Sequence, residues 1–175
     1  MGLFVIGFYE NQMIKVLFVC LGNICRSPMA EGIFNAKIKD LGLEKAIQSD
    51  SAGTSDYHIG ELPDERTLSC AQRHGVEIKH RGRQVQLSDF RDFAYIIAMD
   101  SNNLENLQQL KLESRFPNKE IFLMRNFAAG AEGLAVPDPY YGGEEDFENV
   151  YCILDTALDA LISHLKVAHP QVFKA

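Results

Sequence analysis

A cysteine and an arginine separated by five residues, in Cys20-Leu21-Gly22-Asn23-Ile24-Cys25-Arg26-Ser27, stand between an apolar run and a helical pattern that opens at Pro28. A loop that wraps into a helix N-terminus aims successive backbone N–H groups into one concavity, where the helix dipole adds about half a unit of positive charge. A phosphate or similar tetrahedral oxyanion fits such a concavity, and the Arg26 guanidinium adds a bidentate fork that lysine lacks. The same field acts on Cys20 at the loop floor and favours thiolate over thiol, lowering a pKa that starts near about 8.5. Gly22 lets the loop pass close to the ligand, Asn23 accepts an unusual backbone geometry and ties the loop through its amide, and the Ser27 hydroxyl can donate to the sulfur. The alternative for Cys20 is a buried core cysteine that closes a strand.

Phosphoryl transfer to a thiolate also needs a proton for the departing oxygen. Asp138, in Val136-Pro137-Asp138-Pro139-Tyr140-Tyr141-Gly142-Gly143, is the candidate acid, because flanking prolines restrict where its carboxyl points. Its alternative is a turn-forming aspartate. Tyr140 and Tyr141 can wall a cleft and stack against a substrate ring, or simply anchor the loop at the surface; Tyr57 is a further wall candidate.

These residues need a frame. Residues 14–19 (IKVLFV) form a short, β-branched apolar run that predicts a strand buried on both faces. Met29, Ile33, Phe34, Ile38 and Leu41 follow at helical spacing, with Gly42 as the stop. A second strand is expected over 46–51, a polar loop over 52–62, and a helix from Pro63 and Asp64 to His74, closed by Gly75. Residues 93–99 and 120–124 read as further strands, and residues 102–112 as a helix between them. Residues 125–143, rich in Gly, Ala and Pro, lack periodicity and are long enough to be functional. From Phe147, the stripe Val150, Tyr151, Leu154, Leu158, Leu161, Ile162 and Leu165 marks the final helix. Strands alternating with helices predict a single-domain α/β fold, a parallel sheet covered on both faces, with ligands bound beyond the carboxyl ends of its strands.

The 175 residues allow one domain with one core, and 46% hydrophobic with 23% charged residues excludes disordered and fibrous classes. A net charge of −7 disfavours a nucleic-acid or anionic-membrane surface, so any anion site is local. Cys20, Cys25, Cys70 and Cys152 form no paired CxxC and suggest no zinc site, and a reducing compartment is expected. Residues 1–13 read as an appendage that is neither a secretory signal nor a membrane span, leaving 14–175 as the domain.

The chain resembles the low-molecular-weight protein tyrosine phosphatase family over about residues 15–166. The family pattern CxGNxCRSPxAE is present from Cys20 through Glu31, and the acid-loop pattern DPYYG from Asp138 through Gly142. The resemblance implies a three-layer sandwich with strand order 2-1-3-4. It implies that Cys20 is the nucleophile, that Arg26 clamps the phosphoryl group, and that Asp138 is general acid and then general base, with no metal and no cofactor. Asn23 and Ser27 are implied to support the loop, as are Ser51 and His74 in segments resembling the family's DSAGT and RHG stretches. Asp100, in a matching MDxxN segment, would tie the arginine or its loop. The other reading of His74 is a helix-end residue that suits the dipole. Cys25 is the family's second loop cysteine, implied to form a reversible disulfide with Cys20 that limits over-oxidation; its alternative is loop packing. Cys70 and Cys152 read as structural. Tyr57 stands where some relatives carry Trp, and Tyr140 and Tyr141 can be phosphorylation sites in the family.

The partners implied are phosphotyrosine-containing proteins and an opposing tyrosine kinase, without nucleic acid or membrane, for a cytoplasmic monomer or weak dimer. A thiol-coupled arsenate reductase shares the fold but needs two further relay cysteines, and none lies between Cys70 and Cys152. A protein-arginine phosphatase usually carries Thr where Ile24 stands and lacks the double tyrosine. A non-enzymatic phosphate-binding module has no use for a cysteine under the phosphate or an acid above it.

Overall fold

β1 (Ile14–Cys20) alternates its side chains between two cores: Val16, Phe18 and Cys20 face one, Leu17 and Val19 the other. A strand buried on both faces must be covered on both, and the rest of the chain does this. In a computed structural model, which describes residues 13–174, β1 is followed by α1 (Arg26–Asp40), β2 (Ile47–Gly53), α2 (Glu65–Arg73), α3 (Asp89–Asp92), β3 (Tyr95–Ala98), α4 (Ser101–Glu113), β4 (Ile121–Leu123) and α5 (Glu144–Ala168). The appendage read over residues 1–13 lies outside the described residues apart from Met13.

All four strands are parallel in the order β2-β1-β3-β4, the expected order. Helices α1, α2 and α5 pack together on one face, where Phe34 of α1 meets Phe18 edge-on at 5.5 Å and Leu154, Leu158 and Leu161 of α5 are fully buried. On the other face, Leu107 of α4 and Phe90 of α3 cover Leu17, Val19, Ile96 and Ala98. The result is the three-layer α/β architecture the alternation of elements predicts.

Several boundaries differ from the periodicity. α1 begins at Arg26, two residues before Pro28, because Pro28 in the first turn has no intrahelical acceptor to lose. α5 begins at Glu144, three residues before its apolar stripe; Asp146 accepts from the Gly143 N–H at 2.7 Å and three acidic residues occupy the first turn, where the dipole favours them. Gly42 and Gly75, at φ 67° and 72°, end α1 and α2 in the left-handed conformation that glycine adopts without a Cβ penalty. α3 and a 3-10 turn at Met124–Phe127 are too short to leave a periodic signal. Among the described residues, no helix is long and apolar enough to cross a membrane.

Candidate active site

At the carboxyl end of β1, residues 20–27 curl around the Cys20 sulfur. Sγ accepts from the Asn23 N–H at 3.3 Å and lies 3.0 Å from Ser27 Oγ. The hydrogen-bond directions follow from Asn23. Its Oδ1 accepts from the Arg83 backbone N–H at 2.9 Å, which fixes the amide, so Nδ2 donates to Ser27 Oγ at 2.9 Å and to Ser51 Oγ at 3.0 Å. Ser27 Oγ can turn its own hydrogen to Sγ at 3.0 Å or to the Ala52 carbonyl at 3.5 Å; turned to Sγ, it gives the sulfur a second donor, the arrangement a sulfur anion needs.

Asn23 is also the one described non-glycine residue at positive φ, 57°. Asparagine tolerates this state better than bulkier residues, and four side-chain hydrogen bonds, counting His80 Nε2 at 2.7 Å from Oδ1, hold it there. Behind it, Ser51 Oγ donates to Glu31 Oε2 at 2.6 Å, and His80 Nδ1 lies 3.1 Å from the same oxygen. The end of β2 presses on the loop as well. A Cβ at Gly53 would stand 2.7 Å from the Leu21 carbonyl oxygen, so only glycine permits that approach. The Thr54 and Asp64 N–H groups donate to the Cys20 and Ile24 carbonyls, each at 2.9 Å.

Arg26 is 3% exposed and reaches from the first turn of α1 across the site. Its Nη1 donates to Asp100 Oδ2 at 2.6 Å and to the Val136 carbonyl at 3.1 Å; its Nη2 donates to Asp138 Oδ2 at 3.3 Å. Burial works against its charge, but Cys20, Asp100 and Asp138 more than offset that and raise its pKa. Asp100 is held in turn, capping α4 by accepting from the Asn103 N–H at 2.7 Å. Asp138 Oδ1 accepts from the Tyr140 N–H at 3.1 Å, so the acid loop and the arginine position one carboxyl from both sides. Burial pushes the Cys25 thiol up to about 12, which keeps it protonated.

These groups open into a cavity of about 320 Å³ whose floor is Cys20 and Arg26, with Leu21, Gly22, Ile24 and Cys25 around it. Tyr57, Tyr140, Tyr141 and Asp138 form the mouth, the last two tyrosines edge-to-face at 5.0 Å. Tyr141 is 98% exposed and Tyr57 71%, so both have aromatic faces free for a ligand.

One expected residue is elsewhere. His74 follows the end of α2, its Nε2 lies 2.7 Å from Glu148 of α5, and its ring stacks on Tyr151 at 3.8 Å; it makes no described hydrogen bond to the loop. The histidine behind Asn23 is His80, six residues later, on the extended segment that returns to β2. Arg66 was also missed: it donates to the Gly142 carbonyl at 3.2 Å and lies 5.7 Å from the Tyr140 ring, bracing the acid loop. Nothing in local spacing marks either residue, since each acts across a long sequence gap. Glu31, Asp50 and His80 bring three metal-type donors together, but Ser51, Arg83 and Asn23 already engage them.

Comparison with known proteins matches residues 15–171 to the family described as low molecular weight phosphotyrosine protein phosphatase. The chain belongs to that family. It is 44% identical over 142 residues to the Schizosaccharomyces pombe low molecular weight phosphotyrosine protein phosphatase, covering 81% of this chain and 90% of the relative. YfkJ from Bacillus subtilis superposes with a TM-score of 0.83 at 39% identity, over 90% of this chain and 97% of the other. A Drosophila arginine phosphatase superposes equally well, TM-score 0.83 at 34% identity, over 87% and 98%.

Proposed function

We propose that this family member hydrolyses aryl phosphate monoesters, phosphotyrosine in proteins, through a phosphocysteine. The observation that carries the reading is the convergence of Cys20 Sγ, the Arg26 guanidinium and the Asp138 carboxyl on one aromatic-walled cavity. The phosphoryl group enters the loop and takes the Nη2 donor that Asp138 holds in the free site, while Nη1 stays on Asp100 and Val136. Cys20 Sγ attacks phosphorus as the P–O bond to the tyrosine breaks, and Asp138, protonated from solvent once Nη2 has turned to the phosphate, gives that proton to the departing phenolic oxygen. Asp138, now a carboxylate, takes a proton from water; that water attacks phosphorus, the S–P bond breaks, and inorganic phosphate leaves with the Cys20 thiolate restored. Loop N–H groups and Arg26 hold the equatorial oxygens through both steps.

Tyr57, Tyr140 and Tyr141 suit a flat ring extending from the phosphate, which favours phosphotyrosine over phosphoarginine despite the likeness to an arginine phosphatase. The substrates are then phosphoproteins made by tyrosine kinases, in a reducing, cytoplasmic setting that keeps the Cys20 sulfur unoxidised. Assays of p-nitrophenyl phosphate, phosphotyrosine peptide and phosphoarginine with wild type, Cys20→Ser and Asp138→Ala test this. Cys20→Ser should lose turnover, and Asp138→Ala should lose about 10²- to 10⁴-fold on the phosphotyrosine peptide, less on p-nitrophenyl phosphate. Turnover surviving in Cys20→Ser, or phosphoarginine as the faster substrate, would overturn the reading.

A further inference from the structure

Where the last turn of α2 meets α5, three side chains of metal-ligand type converge outside the catalytic cavity. Cys70 and His74 are four residues apart and so share one face at the end of α2; Glu148 comes from α5. Their donor atoms all lie within 4.8 Å of one another. Cys70 is fully buried, whereas His74 and Glu148 reach the surface, so a cation can enter from solvent and meet a thiol at the bottom. The stack on Tyr151, 9° from parallel, fixes the His74 ring plane with Nε2 toward the carboxylate.

We propose that Cys70, His74 and Glu148 form a site for Zn²⁺ or a similar borderline-soft divalent cation, with water in the fourth position. The donor set of one thiolate, one imidazole and one carboxylate suits that class of ion. Tetrahedral geometry with Zn–S of about 2.3 Å and Zn–O of about 2.0 Å requires a sulfur–oxygen edge of about 3.5 Å. Cys70 Sγ and Glu148 Oε1 already stand 3.5 Å apart. His74 Nε2 lies 2.7 Å from the other carboxylate oxygen, Oε2, so the Glu148 carboxylate must turn for one oxygen to face both donors, at a nitrogen–oxygen edge of about 3.3 Å. Arg73 holds Glu148 Oε1 through Nε at 3.0 Å and Nη2 at 2.6 Å and must yield both contacts, from a guanidinium that is itself solvent-exposed. Binding releases the Cys70 thiol proton to solvent, so affinity rises with pH.

The test uses the full chain carrying Cys20→Ser, Cys25→Ser and Cys152→Ser, which leaves Cys70 the one thiol of the four cysteines. Titration with Co²⁺ should give one equivalent bound, with thiolate-to-cobalt charge-transfer absorption that Zn²⁺ abolishes. Adding Cys70→Ser should remove the absorption, and His74→Asn or Glu148→Gln should each weaken binding at least about tenfold. His74 is exposed, so that variant keeps the fold and is checked by circular dichroism. Absence of the charge-transfer band from the folded triple variant, or affinity unchanged by His74→Asn and Glu148→Gln, would overturn the site.

Discussion

At φ 57°, Asn23 sits in a backbone state that costs most residues about 1 to 2 kcal/mol, and its side chain links Arg83 on one side to Ser27 and the Cys20 sulfur on the other. His80 acts through that asparagine, as a positioning residue one step removed from the sulfur. Removing it should loosen the loop without touching substrate. His80→Ala is expected to lower kcat by about ten- to a hundredfold, whereas His74→Ala leaves kcat unchanged, in side-by-side steady-state assays. Equal losses in the two variants would contradict the placement of His80. That distinction was not legible in the sequence: His74 adjoins a helix end and a glycine stop, while His80 lies in a segment without periodicity and meets Asn23 across 57 residues.

Among the elements, α2 matters because its start touches the loop: Asp64 donates its N–H to the Ile24 carbonyl, and its carboxylate caps the helix by accepting from the Arg66 N–H at 2.9 Å. Arg66 hydrogen bonding holds the Asp64 carboxyl below its ordinary range. Since the pKa is depressed in the folded state, the stabilisation is present above the unfolded value of 3.8 and is lost as pH falls through the lower folded one. Asp64→Ala should therefore cost about 0.5 to 2 kcal/mol in denaturant unfolding near neutral pH, and the gap to wild type should close as pH falls below about 3.8. Arg66 carries the same link forward to the acid loop. Arg66→Ala should reduce kcat on phosphotyrosine peptide more than on p-nitrophenyl phosphate, because the loop it frees carries the proton donor. The start and stop of α2 were readable from Pro63, Asp64 and Gly75, local chemistry that acts within one turn. The role of Arg66 was not, since its partners Tyr140 and Gly142 come from a loop whose path only tertiary packing fixes.

For the molecule as a whole, the sheet places the loop and the two helix-bearing faces hold the sheet. Leu158 is fully buried on α5, the longest helix, in the core that α5 shares with α1. Leu158→Ala should destabilise the protein by about 2 to 5 kcal/mol, read from the unfolding midpoint, while the folded fraction keeps its kcat. This layer was legible because a 3.6-residue stripe and β-branched runs encode burial directly. The acid loop's position over Arg26 was not, because it depends on the Val136 carbonyl meeting an arginine 110 residues earlier. The central claim is that Cys20 takes the phosphoryl group itself. Rapid acid quench of Asp138→Ala turning over p-nitrophenyl phosphate, followed by mass spectrometry of the cysteine peptides, measures this most directly. One phosphoryl group on Cys20, absent from Cys20→Ser, is the predicted result; a phosphoryl group on another residue, or none during steady turnover, would contradict the account.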